Sequence, residues 1–394
     1  MSTMYARCES KLDEFRVEIP SWGFANTGTR FGKFAQPGAA TSLEEKFADA
    51  AEVHALTGVT PQLALHVLWD LPGGRADVAG VKQLTERYGI QAGSINPNLF
   101  QNQEYKFGSL CNPDAGIRRM ALDHLLGCAD IAKDLSSADV SLWLADGSNY
   151  PGTQSIRKRI VWLEEALGAT HDRLSAGQRL LVEYKPFEPA FYHTDIADWG
   201  MAGHLAQSAG PQARVLVDTG HHYQAQNIEQ IVAWLLHLRL LGGFHFNDRR
   251  YADDDLTIGS IDPYQVFRIF HEIFNEEDES LVAGIAYMID QSHNIKGKVE
   301  AMVQTVVTAQ ELFFKAGLVD RERLAELQAA GRTVEAEECL RDAFWTDVRP
   351  ALEEWRVRRG LPPNPLTALH ESGYVERIER ERAERNAVRT STYA

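Results

Sequence analysis

RLLVEYK (179–185) is a short apolar run that ends on a carboxylate, Glu183, with an ammonium, Lys185, two residues further on. Three later runs share the form: RVLVDTG (214–220) reaches Asp218, GGFHFND (242–248) carries His245 and Asp248, and LVAGIAYMID (281–290) reaches Asp290. Four more lie upstream, EIPSWGF from Glu18, QLALHV from Gln62, GIQAGSIN from Gly89 and DVSLWLAD from Asp139. Apolar runs of this length read as buried strands, and the longer segments between them have helical period. Ser42 with Glu45 opens one helix as a capping box, puts Leu43, Phe47, Ala50 and Ala51 on one face and stops near Gly58. Asn227 with Gln230 opens a second, burying Ile228, Ile231, Val232 and Leu235, and Asp262 opens a third, burying Val266, Ile269, Phe270 and Ile273. Eight strands alternating with helices predict an α/β fold, a (β/α)8 TIM barrel over residues 1–317 with a short N-terminal segment. A doubly wound open sheet is the runner-up, and no Gly-rich phosphate loop follows an early strand to support it.

From Leu318 to the end at 394 the composition shifts to Glu, Arg and Ala, as in VERIERERAERN from Val375, with LPPNP from Leu361 as a break. This reads as a helical C-terminal extension. It is either a solvated charged helix or an oligomerisation arm that packs on a neighbouring subunit, and the arm is the expectation carried forward.

A chain of 394 residues, 44% apolar, buries a large core, and its formal charge of −15 argues against a nucleic-acid partner. Cations and neutral small molecules suit it better. Cys8, Cys111, Cys128 and Cys339 lack the pairing of a disulfide framework or a zinc site, so a reducing cytoplasm is expected. The N-terminus lacks an apolar targeting core, and no later run is long enough to cross a bilayer.

Barrel enzymes place their chemistry at the C-terminal ends of the strands, where Glu183, Asp218, His245 and Asp290 fall. Singly, Glu183 could pair with Lys185, Asp218 could cap a helix and His245 could be a satisfied core histidine. Together, carboxylates converging on one mouth repel one another unless a cation sits among them. A second group lies on adjacent loops: His221, three residues beyond Asp218, can fold back beside it, and Asp253 and Asp255 project the same way from an extended loop while Asp254 points opposite. Taken alone, that acidic triplet is an ordinary solvated turn. Five carboxylates, Glu183, Asp218, Asp253, Asp255 and Asp290, are balanced by two divalent ions plus Lys185. Mixed carboxylate and imidazole donors favour Mn²⁺ and its later neighbours among divalent ions.

WGFANTGTRFGKF from Trp22, VEYKPFEP from Val182, VDTGHH from Val217, FHFND from Phe244 and MIDQSHN from Met288 together resemble the L-rhamnose isomerases, in their broad-specificity branch. The resemblance runs from about Trp22 to Val299 and continues into the tail. It implies a xylose-isomerase-like barrel, a homotetramer and two divalent ions per chain, commonly Mn²⁺, with Mg²⁺, Co²⁺ or Zn²⁺ as substitutes. Carried onto this sequence, it makes Glu183, Asp218, His245 and Asp290 ligands of a structural ion. Asp218 would bridge to a catalytic ion completed by His221, Asp253 and Asp255. Lys185 would polarise the substrate carbonyl, His66 would lie near the sugar ring oxygen, and Asp290 would join the catalytic set. Trp22, Trp69 and Trp143 would wall the substrate, Phe31 would be lent to a neighbour's pocket and Ser292 would touch the sugar.

The reaction so implied converts L-rhamnose to L-rhamnulose, with D-allose, L-mannose and L-lyxose as companion substrates. Two ions would hold O1 and O2 of the open-chain sugar while hydrogen moves between C1 and C2. A 1,2-hydride shift is expected by analogy, and an enediol route with a carboxylate base remains open. Rivals are another sugar isomerase or epimerase on this fold, a metal-dependent phosphodiesterase or endonuclease on a related barrel, and a sugar-binding scaffold with one structural metal.

Overall fold

In the computed structural model, residues 2–29, 32–187 and 193–387 are described. The strands are β1 Val17–Pro20, β2 Gln62–His66, β3 Gln91–Asn96, β4 Asp139–Leu142, β5 Arg179–Glu183, β6 Ala213–Asp218, β7 Leu241–Phe246 and β8 Ala286–Ile289. They form a closed barrel in sequential order, every pairing parallel, with β1 joined to β8 through Val17–Tyr287 and Glu18–Met288. The α/β barrel expected from the eight runs is therefore present. Its helices are α1 Leu43–Thr57, α2 Val78–Tyr88, α3 Ala115–Asp134, α4 Ile156–Arg173, α5 Trp199–Ala209, α6 Ile228–His237, α7 Pro263–Asn275 and α8 Lys298–Gly317.

Local chemistry explains the boundaries. The Ser42 side chain accepts from Glu45 N at the start of α1, while Glu45 reaches back to Thr41 N and Oγ1 rather than to Ser42. The reciprocal bond of the capping box thus lands one residue early. Asn227 and Asp262 accept from Gln230 N and Gln265 N as expected for α6 and α7. Two strand readings change at their starts. Gly89 is the left-handed cap of α2 at φ 69°, so β3 begins only at Gln91. Leu281 belongs to a short helical turn, Glu279–Ala283, capped by Asp278, and β8 begins at Ala286 after the Arg179 guanidinium has taken the Gly284 carbonyl.

Inside the barrel, Leu181, Leu216 and Met288 pack together as a layer below the mouth. At the opposite end Glu18 accepts from Ser94 N and Oγ, and a Cβ on Gly93 would lie 2.2 Å from the Glu18 carboxylate, so only glycine admits this approach. Outside, the core is continuous with the C-terminal segment, whose helices span Arg321–Ala329, Thr333–Trp345, Arg349–Arg358, Pro365–Glu371 and Tyr374–Arg382. Phe344 packs edge-on to Tyr264 and Phe267 of α7, and buried Arg382 pairs with buried Asp49 of α1 at 2.8 Å. Among the described residues no helix is long and apolar enough to cross a membrane.

Candidate active site

The C-terminal ends of the strands and the loops beyond them enclose a cavity of 170 Å³. Period-2 alternation delivers the strand residues, since Glu183 and Lys185, His245 and Asn247, or Ser141 and Trp143 lie two apart and share the inward side. Of the expected metal ligands, Glu183, His221, His245, Asp253, Asp255 and Asp290 line the cavity, and Asp218 lies directly behind them at 0% exposure. Two overlapping groups of candidate ligands emerge, Glu183 with Asp218 and His221, and Asp218 with His245 and Asp290, each with its ligand atoms within 4.8 Å of one another. Asp218 belongs to both.

Each imidazole is aimed. The Nδ1 of His221 faces the Tyr184 carbonyl at 3.1 Å and turns its Nε2 toward Asp253 Oδ2 at 3.4 Å and Asp218 Oδ2 at 3.9 Å. Orientation by a backbone carbonyl is the usual way to free the other ring nitrogen for a ligand role. His245 Nδ1 faces Glu183 Oε2 at 3.3 Å, Asp290 Oδ2 at 3.7 Å and Asp218 Oδ2 at 3.9 Å, yet makes no hydrogen bond. Asp218 is fixed from outside by Gly220 N at 2.7 Å and Asn247 Nδ2 at 3.0 Å. Trp22 Nε1 holds Asp290 at 2.7 Å.

The electrostatics show what the cluster lacks. Burial, with Glu183, Asp253 and Asp290 close by, pushes the Asp218 carboxyl up to about 7 despite the His221 charge. Burial and neighbouring carboxylates likewise push Asp255 and Asp290 upward. Burial opposes charge on Glu183 as well, but the His245 and His221 rings prevail and hold it at about 2. His245 in turn is lifted to about 9: burial works against its charge, and Glu183, Asp290 and Asp218 overcome it. A cluster in which burial and like charge push the carboxyls of Asp218, Asp255 and Asp290 up and neighbouring carboxylates lift an imidazole is one that a divalent cation would stabilise. An unpartnered ring nitrogen facing three carboxylates, a shared buried aspartate and mixed nitrogen and oxygen donors all fit two such ions.

Lys185 forms an ion pair with Asp253 at 2.5 Å and lies 5.5 Å from the Trp143 ring centre. His66, 5% exposed, stacks on Trp69 with ring centres 3.9 Å apart and has no hydrogen bond at either ring nitrogen. Burial pushes it down to about 3, so it stays neutral at ordinary pH. Trp22, Trp69 and Trp143 line the cavity. Ser292 does not line it, its hydroxyl being bonded to Thr27, and Phe31 lies outside the described residues.

The 253–255 segment departs from an extended loop. Asp254 Oδ2 accepts from Arg250 N and Tyr251 N, closing a turn, and Asp255 takes a left-handed conformation at φ 49°. Asp253 and Asp255 still both line the cavity, through that turn rather than through strand-like alternation. Asp248 faces away and accepts from Ile261 N and Asp262 N. Sequence reasoning passed over Asn96, Phe100 and Ser141, which also line the wall; Ser141 was legible as the inward neighbour of Trp143 on β4. A further acid group, Cys111 with Asp146 and Asp195, surrounds the buried Arg159 guanidinium, which pairs with Asp195 at 2.6 Å and neutralises it without any ion.

Comparison with known proteins places the fold. Residues 48–276 match the family described as xylose isomerase-like TIM barrel. The chain is 39% identical over 380 residues to a probable sugar isomerase of Mesorhizobium japonicum, covering 95% of this chain and 87% of that one. It is 23% identical over 310 residues to the L-rhamnose isomerase of Bacteroides thetaiotaomicron, covering 75% and 72%. Among solved structures, a xylose isomerase domain protein from Alicyclobacillus acidocaldarius superposes with a TM-score of 0.54 at 15% identity, covering 77% of this chain and 99% of that one, a likeness of fold. The length and identity of these matches, together with the closed barrel, show that the chain belongs to the xylose isomerase-like TIM-barrel family.

Proposed function

We propose that the protein is an aldose–ketose isomerase that takes an unphosphorylated sugar, L-rhamnose first, and holds two divalent ions, Mn²⁺ first. The observation that carries this reading is the shared, fully buried Asp218 between two groups of candidate ligands at one barrel mouth. Glu183, Asp218, His245 and Asp290 would hold one ion, and Asp218, His221, Asp253 and Asp255 would hold the other. When bound, the ions supply fixed positive charge at the two sugar oxygens where negative charge develops.

The chain's own residues do the rest. Lys185, held by Asp253, donates to the carbonyl oxygen and stabilises charge there. Neutral His66, with both ring nitrogens unpartnered, donates to the ring oxygen of the closed sugar or accepts from the hydroxyl that this oxygen becomes on opening. Trp22, Trp69 and Trp143 exclude water from C1 and C2, and Trp22 Nε1 keeps Asp290 in place at the mouth. Hydrogen moves from C2 to C1 as a hydride while O2 gives up its hydroxyl proton and O1 takes one up, so that the aldehyde becomes a carbinol and C2 the ketone.

We assign the protein to a reducing cytoplasm, since its four cysteines are unpaired, and to a homotetramer. Exposed Phe34, Phe107, Tyr150, Tyr223, Tyr251 and Ile295 all lie on loops beyond the C-terminal ends of strands, a rim suited to a neighbouring subunit. Residues 318–394 are the proposed oligomerisation arm.

A panel of aldoses scored for ketose formation, before and after chelation and with Mn²⁺ restored, tests the assignment. Turnover lost on chelation and recovered with Mn²⁺ is expected. Full activity in metal-free protein, or ketose from no aldose, would sink it.

A further inference from the structure

The cavity wall has two characters. Its acids and the candidate-ligand imidazoles His221 and His245 come from β5–β8 and the loops that follow them, whereas β1–β4 and their loops supply Trp22, His66, Trp69, Phe100 and Trp143. Phe100 meets Trp143 edge-on at 5.1 Å and His66 at 5.6 Å, so this side is an aromatic surface fitted to the C–H faces of a substrate.

Two polar atoms on the β4 side interrupt it. Ser141 is 2% exposed and its Oγ has no hydrogen-bond partner; two residues on, Trp143 Nε1 has none either. Of the other polar groups on this side, the His66 ring is also unpartnered and the proposed function gives it a sugar contact, whereas Asn96 and Asp70 are engaged. Asn96 Nδ2 donates to the Leu65 and Ser94 carbonyls and to Ser94 Oγ. Asp70 accepts from Ser21, Lys46 and His66 N. A buried hydroxyl and a buried indole N–H left unmatched are costly, and both belong to residues that line the cavity.

We infer that Ser141, with the Trp143 indole N–H two residues on in β4, is a specificity-determining subsite that reads one hydroxyl of a neutral sugar. The inference rests on the isomerase reading for the class of substrate. A serine hydroxyl both donates and accepts and an indole only donates, so a sugar hydroxyl, which does both, satisfies either atom. An epimer with that hydroxyl inverted leaves the buried pair unmatched, which is the circumstance in which a pocket discriminates strongly.

The test uses Mn²⁺-loaded full-length protein and the quenching of its tryptophan fluorescence by aldoses and their alditols, with kcat/KM measured in parallel. Native protein is expected to separate epimers that differ at one carbon. Ser141→Ala should weaken the preferred sugar about tenfold while its epimer shifts less than about twofold. Melting temperature and Mn²⁺ content should not move, and Ser141→Thr, which keeps the hydroxyl, should restore part of the preference. An unchanged affinity ratio in Ser141→Ala overturns the subsite. Native protein that discriminates epimers through Ser141 but forms no ketose overturns the isomerase reading and leaves the subsite standing. Native protein that binds no sugar overturns both.

Discussion

Lys185 is the ammonium of the cavity wall, and Lys185→Met removes it while sparing every candidate metal ligand. Turnover should fall by about 10²–10³-fold with Mn²⁺ stoichiometry unchanged, because a charge aimed at the developing oxyanion is lost and the ions are not. Native rates in the variant would take Lys185 out of the mechanism. A second single-residue consequence concerns Glu18 at the far end of the barrel, whose carboxyl burial pushes up to about 7 against the help of Ser94. Its unfolded value is lower, so the folded chain binds the extra proton between about 4.5 and 7. Below that window the group is neutral in both states and costs nothing. As pH rises through it, stability is lost. Glu18→Gln should therefore gain melting temperature relative to native protein at pH 8 and gain little at pH 5. Equal differences at the two pH values would show that Glu18 does not titrate on unfolding. Single side chains also mark the limit of linear reading: Asp218 sits visibly at the end of its strand, yet its place between two histidines required His221 to fold back past Tyr184.

At the scale of elements, the loop between β7 and α7 carries two of the seven proposed ligands on a turn closed by Asp254. Asp254→Ala frees the amides of Arg250 and Tyr251 and loosens Asp253 and Asp255 without touching a strand. Calorimetric titration should show Mn²⁺ binding weakened by about tenfold, in line with the loss of a supporting group around a metal site. Unaltered affinity would mean that the turn does not position the acids. Helix starts at Ser42, Asn227 and Asp262 were legible because a cap is decided within four residues. The run from Leu281 was misjudged at its start because Gly284 is held by Arg179, a partner more than a hundred residues away. The pairing of Asp253 with Asp255 was legible, but the left-handed residue that achieves it was not.

For the whole molecule, the C-terminal segment is tied back to the barrel by one buried ion pair, Arg382 with Asp49, supported by Tyr374 Oη on the same carboxylate. Asn386 extends the tie to the carbonyls of Pro37 and Ala39 and the side chain of Asn26, on the loop after β1. Arg382→Ala strands a carboxylate with 0% exposure and should cost about 3–5 kcal/mol in denaturant unfolding. A loss well under 1 kcal/mol would show that the Arg382–Asp49 pair contributes little to the chain's stability. The sequence by itself determined the alternation of strand and helix, the carboxylates and imidazoles at the strand ends, and the family resemblance. These are periodic or nearest-neighbour properties, written in spacings of two to four residues. Long-range packing alone settled that β1 closes on β8, that Trp22 holds Asp290 across 268 residues, that Asp218 is shared, and that Ser141 lines the cavity with its hydroxyl unpartnered. Closure sets these relations because strand register and tilt around the ring, which no local pattern encodes, fix which side chains meet at the mouth.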